Sequence, residues 1–424
     1  MTFYPIYDTQ EESMNNLEYN LEKYAELTVT TGINLKKGQT LVIMAPIDAS
    51  PFARLCAKKA YEAGAKDVVV HYNDEQLSRI KFDHAQMDVF EDVPAWFADS
   101  RNHYAKIGAA FLSIHASDPN VFSGVDPKKL AVSNIAQRKA MHPYRNALDE
   151  GKIAWCIVSV PTPAWAKKVF PDLAQEEAID TLWNAIFKAT RVNTEDPKAS
   201  WKQHKMQIDQ RRGFLNEKQF VSFRYQNSLG TDLTVGLPEN HIFEGAGATT
   251  IYGTPFIPNM PTEEIFSMPH RDKVEGKIYA SMPLNYQGTL VKDFWFSFHE
   301  GRIVDFGAKE GYEALKNLID TDEGAHYLGE IALVANDSPI SNMGILFYNT
   351  LYDENASCHF AIGKCYPTCI ENGLSYSREE LLKKGGNDSL EHVDFMVGTK
   401  DLRITATTKE GEQVDIFLDG NWVI

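Results

Sequence analysis

Residues 40–64 read TLVIMAPIDASPFARLCAKKAYEAG. The first six, Thr40 to Ala45, make a short, almost wholly apolar run in which Thr, Val and Ile are β-branched, which suits a strand buried on both faces of a parallel sheet. Ser50 followed by Pro51 predicts a helix start, with Ser50 as N-cap and proline in the first turn, and the helix should run through Ala63 to end at Gly64. The same grammar recurs on either side. Upstream, Leu17, Leu21, Tyr24 and Leu27 place one apolar stripe on a helix. Downstream, Asp67 to Tyr72, Ala109 to His115 and Ile153 to Val160 are further short apolar runs with helical stretches between them. Alternation of this kind from Asn15 to about Phe170 predicts an α/β domain, a parallel sheet covered by helices.

The pattern then changes. Two helical stretches, Gln175 to Arg191 and Pro197 to Asn216, flank the polar loop Asn193 to Asp196. That loop suggests a division into residues 1–195, the α/β domain, and residues 196–424. After Gln219, strands and turns dominate: Phe220 to Tyr225, Asp232 to Val235, Lys277 to Met282 and Phe294 to His299. Glu300 and Gly301 read as a hairpin turn into Arg302 to Phe306, and Leu402 to Thr407 pairs naturally with Gln413 to Leu418. The second half is therefore expected to be a β-rich α+β domain.

Composition excludes several classes. Among 424 residues, 42 Lys plus Arg stand against 58 Asp plus Glu, a net charge of −16. No basic footprint for a nucleic-acid backbone is present. Hydrophobic residues at 43% and charged residues at 24% match ordinary folded proteins rather than disordered ones. The five cysteines are few, odd in number and dispersed, which favours a reducing compartment over a disulfide scaffold. Acidic residues at Asp8, Glu11 and Glu12 replace the basic start of a signal peptide, and no apolar run approaches the roughly 20 residues of a membrane span. A cytoplasmic protein without membrane or nucleic-acid partners is expected.

The most informative polar pair is His392 and Asp394. Leu390 to Gly398 reads as a strand, and its period of two puts both side chains on one face. Imidazole and carboxylate suit Zn²⁺, Mn²⁺ or Co²⁺, although a histidine oriented by its neighbour on a solvated face would look the same. Glu263, Glu264, Glu330 and His359 lie in turn-rich segments and add possible ligands. Cys358, Cys365 and Cys369 do not have the spacing of a paired C-x-x-C zinc site. Met260, Met268 and Met282 read as packing. The sequence contains no G-x-S-x-G elbow, P-loop or H-E-x-x-H helix.

Four segments carry a family likeness: PNMPTEEIF at 258–266, LGEIALV at 328–334, FYNTLYDENASCHFAIGKCYP at 347–367 and HVDFMVG at 392–398. In this order and at these separations they resemble the thermophilic-type metalloaminopeptidases, the family of aminopeptidases T, II and S, and the similarity runs over nearly the whole chain. The resemblance implies a C-terminal catalytic domain with two divalent metal ions per chain (zinc, cobalt, manganese or magnesium). Their ligands would be Glu264, Glu330, His359, Tyr366, His392 and Asp394. Glu330 is the candidate bridge between the ions, since two close cations need a shared carboxylate. Tyr366 would ligate a metal or donate a hydrogen bond to the oxyanion, and Glu263 would serve as proton shuttle. Because Glu263 and Glu264 are adjacent, a slip of one residue would exchange them. The implied substrates are peptides with a free N-terminus, and the implied assembly is a homodimer whose α/β domain restricts access. A metal-dependent hydrolase of another bond, or a non-catalytic metal and peptide binding protein, is the alternative.

Overall fold

The run at Thr40 folds as strand β1 (Thr40–Pro46), with β2 (Asp67–Asn73), β3 (Ala110–His115) and β4 (Trp155–Ser159) beside it in a parallel sheet of order β2-β1-β3-β4. The structure is a computed structural model that describes residues 8–116, 118, 120–286 and 288–424; the first seven residues, part of the acidic N-terminal stretch, lie outside it. Leu41, Val42 and Ile43 are fully buried, as a strand covered on both faces requires. Tyr24 of helix α1 (Asp8–Leu27) stacks on Phe52 of helix α2 (Ser50–Glu62) with ring centroids 4.9 Å apart.

The helix start differs from the expectation. Ser50 does not cap α2: it is already helical (φ −56, ψ −33), the cap is Ala49, and no side chain bonds to the cap. The preceding 3₁₀ turn Ile47–Ala49 is the reason, because the Ser50 N–H donates to the Ile47 carbonyl. This draws Ser50 into the helical region and away from the extended conformation an N-cap needs.

The chain divides into two compact units, one running to Gln203 and including Gly247–Pro261, the other formed by His204–Ala246 and Thr262–Ile424. A single cut between residues 195 and 196 does not describe this. The division falls inside helix α4 (Pro197–Lys218), after α3 (Gln175–Ala189), rather than in the polar loop between them. Residues 247–261 return to the first unit because they extend its sheet at the β4 edge. The Ile157 N–H donates to the Pro258 carbonyl at 2.7 Å, and the Met260 N–H to the Ile157 carbonyl at 3.0 Å.

The second unit contains β5 (Ser222–Gln226), β6 (Asp232–Gly236), β7 (Glu244–Gly245), β8 (Ile265–Ser267), β9 (Val274–Tyr279), β10 (Trp295–His299), β11 (Arg302–Gly307), β12 (Leu328–Leu333), β13 (His359–Gly363), β14 (His392–Met396), β15 (Arg403–Thr407), β16 (Gln413–Leu418) and β17 (Asn421–Trp422). They form two antiparallel sheets, β11-β10-β9-β6-β5-β15-β16-β17 and β14-β13-β12-β8-β7. One core joins them: Phe223, Ile278 and Phe296 from the larger sheet pack with Ile331, Phe360 and Phe395 from the smaller. Phe296 and Phe395 meet edge to face at 5.1 Å, and each such buried ring contributes roughly 1.5–3 kcal/mol. The β10–β11 hairpin turns at Glu300 and Gly301, both at positive φ (48 and 78). A Cβ on Gly301 would lie 1.7 Å from the Arg271 carbonyl oxygen, so only glycine fits.

All five cysteines are buried and free. Cys358 belongs to the main core, whereas Cys365 and Cys369 pack with Met268 in a separate cluster. No helix among the described residues is long and apolar enough to cross a membrane.

Candidate metal centre

The smaller sheet has a second face. In β12, Ile331 and Leu333 enter the core, which turns Glu330 and Ala332 the other way. In β13 the core residues are Phe360 and Ile362, leaving His359 and Ala361 opposite; in β14 they are Val393 and Phe395, leaving His392 and Asp394. Cross-strand register completes the arrangement. Ala361 is flanked by Glu330 on one side and Asp394 on the other, Ala332 faces His359, and Gly363 faces His392. Small residues at 361 and 363 leave the space above them to the polar side chains. Glu264 arrives from the next strand: it precedes Ile265, a core residue of β8, while Phe266 pairs with Ala332.

The six side chains expected as ligands do not all converge equally. Glu264, Glu330 and His359 form one triad and Glu330, His392 and Asp394 another, with the ligand atoms of each within 4.8 Å of one another. His359 Nε2 lies 3.3 Å from Glu264 Oε2 and 3.8 Å from Glu330 Oε1. His392 Nε2 lies 3.2 Å from Glu330 Oε2 and 3.5 Å from Asp394 Oδ1. Each oxygen of Glu330 thus serves a different triad. Tyr366 is at the rim, 45% exposed, with its ring 4.8 Å from that of His392 and 5.9 Å from that of Phe266. Burial of the hydroxyl, then Glu330 and Asp394, push its pKa up.

Both histidines are oriented from behind. His359 Nδ1 is 3.0 Å from the Ser357 carbonyl and His392 Nδ1 is 2.7 Å from the Lys364 carbonyl. With Nδ1–H donating to a carbonyl, the neutral ring presents its Nε2 lone pair to the acidic cluster, the usual orientation of a metal-bound imidazole. Burial opposes charging these rings, yet the carboxylates win. Glu264, Asp394 and Glu330 lift the His359 pKa to about 10, and Asp394 with Glu330 lifts that of His392 to about 11. Burial, with Asp394 and Glu264, raises the Glu330 carboxyl against the hydrogen bond from His392.

Such a cluster attracts cations, and without metal it recruits protons. Its oxygen and imidazole donors fit divalent metal ions. Binding must therefore displace a proton from each histidine. Apparent affinity is expected to rise by up to about tenfold per pH unit for each ion between pH 6 and 8, about 100-fold for the two together, with about two protons released. Calorimetric titration in buffers of different ionisation enthalpy measures that release.

Glu263 points elsewhere. Its Oε2 is 3.6 Å from Nε2 of His204 on α4, and its backbone N–H donates to Asn355 Oδ1 at 2.6 Å. Asn355 is fully buried and also donates to the Leu351 carbonyl at 3.0 Å and to Glu354 Oε1 at 3.4 Å. It clamps the Glu263–Glu264 segment against the turn Glu354–Ala356. Glu354 itself is a further acid at the centre: burial, then Glu264 and Asp394, hold its carboxyl well above the usual range. Neither residue is marked as a site residue by the sequence alone. Their one signal is the run Asp353–Glu354–Asn355, and no periodicity relates a 3₁₀ turn to the face of a sheet.

Known proteins resemble this chain over nearly their full lengths. The chain is 49% identical over 409 residues to Aminopeptidase 2 of Geobacillus stearothermophilus, covering 96% of this chain and 99% of that one. It is 42% identical over 411 residues to Aminopeptidase T of Thermus aquaticus, covering 97% and 100%. The solved structure of wild-type AmpT from Thermus thermophilus superposes with a TM-score of 0.90 at 40% identity, covering 96% of this chain and all of that one. With residues 17–422 matching the family description as well, the chain belongs to the thermophilic metalloprotease family M29.

Proposed function

We propose that this metalloprotease is an aminopeptidase that removes the N-terminal residue of peptides with the help of two divalent metal ions. The observation that carries the reading is Glu330, whose two oxygens face two separate triads. Glu264 and His359 would complete one metal position, His392 and Asp394 the other. When bound, such a pair polarises a carbonyl and lowers the pKa of water toward neutrality. The remaining work falls to the chain. Tyr366, kept protonated at the rim, donates a hydrogen bond to the oxygen on which charge develops. The surplus of carboxylates around two histidines holds the cationic α-amino group of the substrate. Glu263, lying against His204, supports Glu264 from behind. The names of the relatives, aminopeptidases along their whole lengths, support the same activity.

The test begins with protein stripped by a chelator and reloaded with one divalent metal at a time. Cleavage should return only with metal, and only for a peptide whose N-terminus is free rather than acetylated. Phosphate esters and simple amides, assayed in parallel, should remain intact. Stoichiometric metal binding without cleavage of either peptide would sink the reading in favour of a different hydrolase or a binding protein.

A further inference from the structure

Beside the centre, the same unit encloses a cavity of about 290 Å³ whose wall includes Met282, Val334, Ile345, Leu346, Ala356 and Ser357. Ala356 and Ser357 belong to the stretch that joins Glu354 to His359, so cavity and centre share a piece of chain. Ser357 is extended (φ −158, ψ 151) and stands two residues before His359. Alternate residues of an extended segment share a face, here roughly 7 Å apart. On the neighbouring strand Met396 pairs with His359, and two residues further Gly398 donates its N–H to Ser357 Oγ at 2.9 Å. A Cβ on Gly398 would fall 2.4 Å from that oxygen, so glycine keeps this row open. Ser357 and Gly398 of the cavity wall therefore stand one pleat beyond the His359–Met396 pair.

Resting on the aminopeptidase reading, we propose that this cavity receives the side chain of the peptide's first residue and selects uncharged, apolar ones. Among the described residues no Asp, Glu, Lys, Arg or His lines it, so a charged head group would lose its water and find no partner. The volume lies just below the roughly 300–1,000 Å³ of whole-ligand pockets, which suits one side chain rather than a peptide. Division of labour follows: the acidic centre takes the ammonium group and the scissile carbonyl, and the cavity takes the side chain.

The experiment compares metal-loaded wild type with Leu346→Trp, which fills the cavity, and Leu346→Ala, which widens it. Leu346 is half-buried, and metal content checks that the centre is intact. Peptides that begin with Ala, Leu, Phe, Glu or Lys are the substrates. Wild type should favour Leu over Glu and Lys by about tenfold or more in kcat/KM, and Leu346→Trp should cut the Leu-to-Ala preference by a similar factor. Leu346→Ala should shift preference toward Phe. Titration with free leucine and free glutamate reads the same selectivity without turnover, leucine binding more tightly. Equal treatment of Leu, Glu and Lys by wild type, or variants that scale every peptide alike, would overturn the cavity assignment alone. A metal-loaded enzyme that cleaves none of the peptides overturns the aminopeptidase reading, and this assignment with it.

Discussion

Replacing Glu330 by Gln is expected to lower kcat/KM on the order of 10³-fold or more, and at the same time to stabilise the metal-free protein. The first effect follows from geometry, since an amide cannot offer two anionic oxygens to two triads 3.2 and 3.8 Å from their histidines. The second follows from charge. Glu330 is only 4% exposed, and burial together with Asp394 and Glu264 raises its pKa, so its ionised form is unwelcome in the folded chain until a cation arrives. A carboxyl whose folded pKa is raised costs the fold stability as pH climbs through that range. The variant's advantage should therefore show at neutral pH and vanish in acid. Relief of about 1 kcal/mol would raise the melting temperature by about 2–4 °C in a unit of this size. Calorimetric melting with and without metal decides the matter. A variant less stable than wild type without metal would mean that Glu330 is chiefly a structural partner of His392.

The adjacent glutamates should part company just as sharply. Glu264→Gln is expected to cost on the order of 10²–10³-fold in kcat/KM and to weaken metal binding, because Glu264 Oε2 is 3.3 Å from His359 Nε2. Glu263→Gln should keep its metal and lose only about 1 kcal/mol of stability, since its carboxylate lies on His204. Activity and metal content of the two variants, measured side by side, give the answer. The reverse pattern would show that the segment runs one residue out of register. A fall in kcat for Glu263→Gln at full metal content would instead restore the proton-carrying role.

Much of this architecture was legible because its signals are local. Runs such as Thr40 to Ala45 and Asp67 to Tyr72 lie within a residue or so of the observed strands: the first is apolar because it is covered on both faces, and the second, a partly exposed edge strand, is marked by its Val68–Val70 run. His392 and Asp394 could be placed on one face because a strand repeats every two residues. The cap falls on Ala49 rather than Ser50 because of the preceding 3₁₀ turn, which has no strong sequence signature. The domain boundary was displaced for a different reason. Residues 247–261 owe their place to hydrogen bonds at the β4 edge, a partner about 100 positions away in the chain.

The sequence by itself determined the α/β opening, the strand-rich second half and the family, and it marked the residue types at six candidate positions, since these depend on periodicity and on motif order. Only the tertiary structure decided which neighbour of the Glu263–Glu264 pair faces the cluster, that Glu330 is shared, and that Asn355 and Glu354 belong to the centre. Those facts arise where strands distant in the chain are brought into register. There, a rotation of one side chain by half a pleat separates a ligand from a supporting residue.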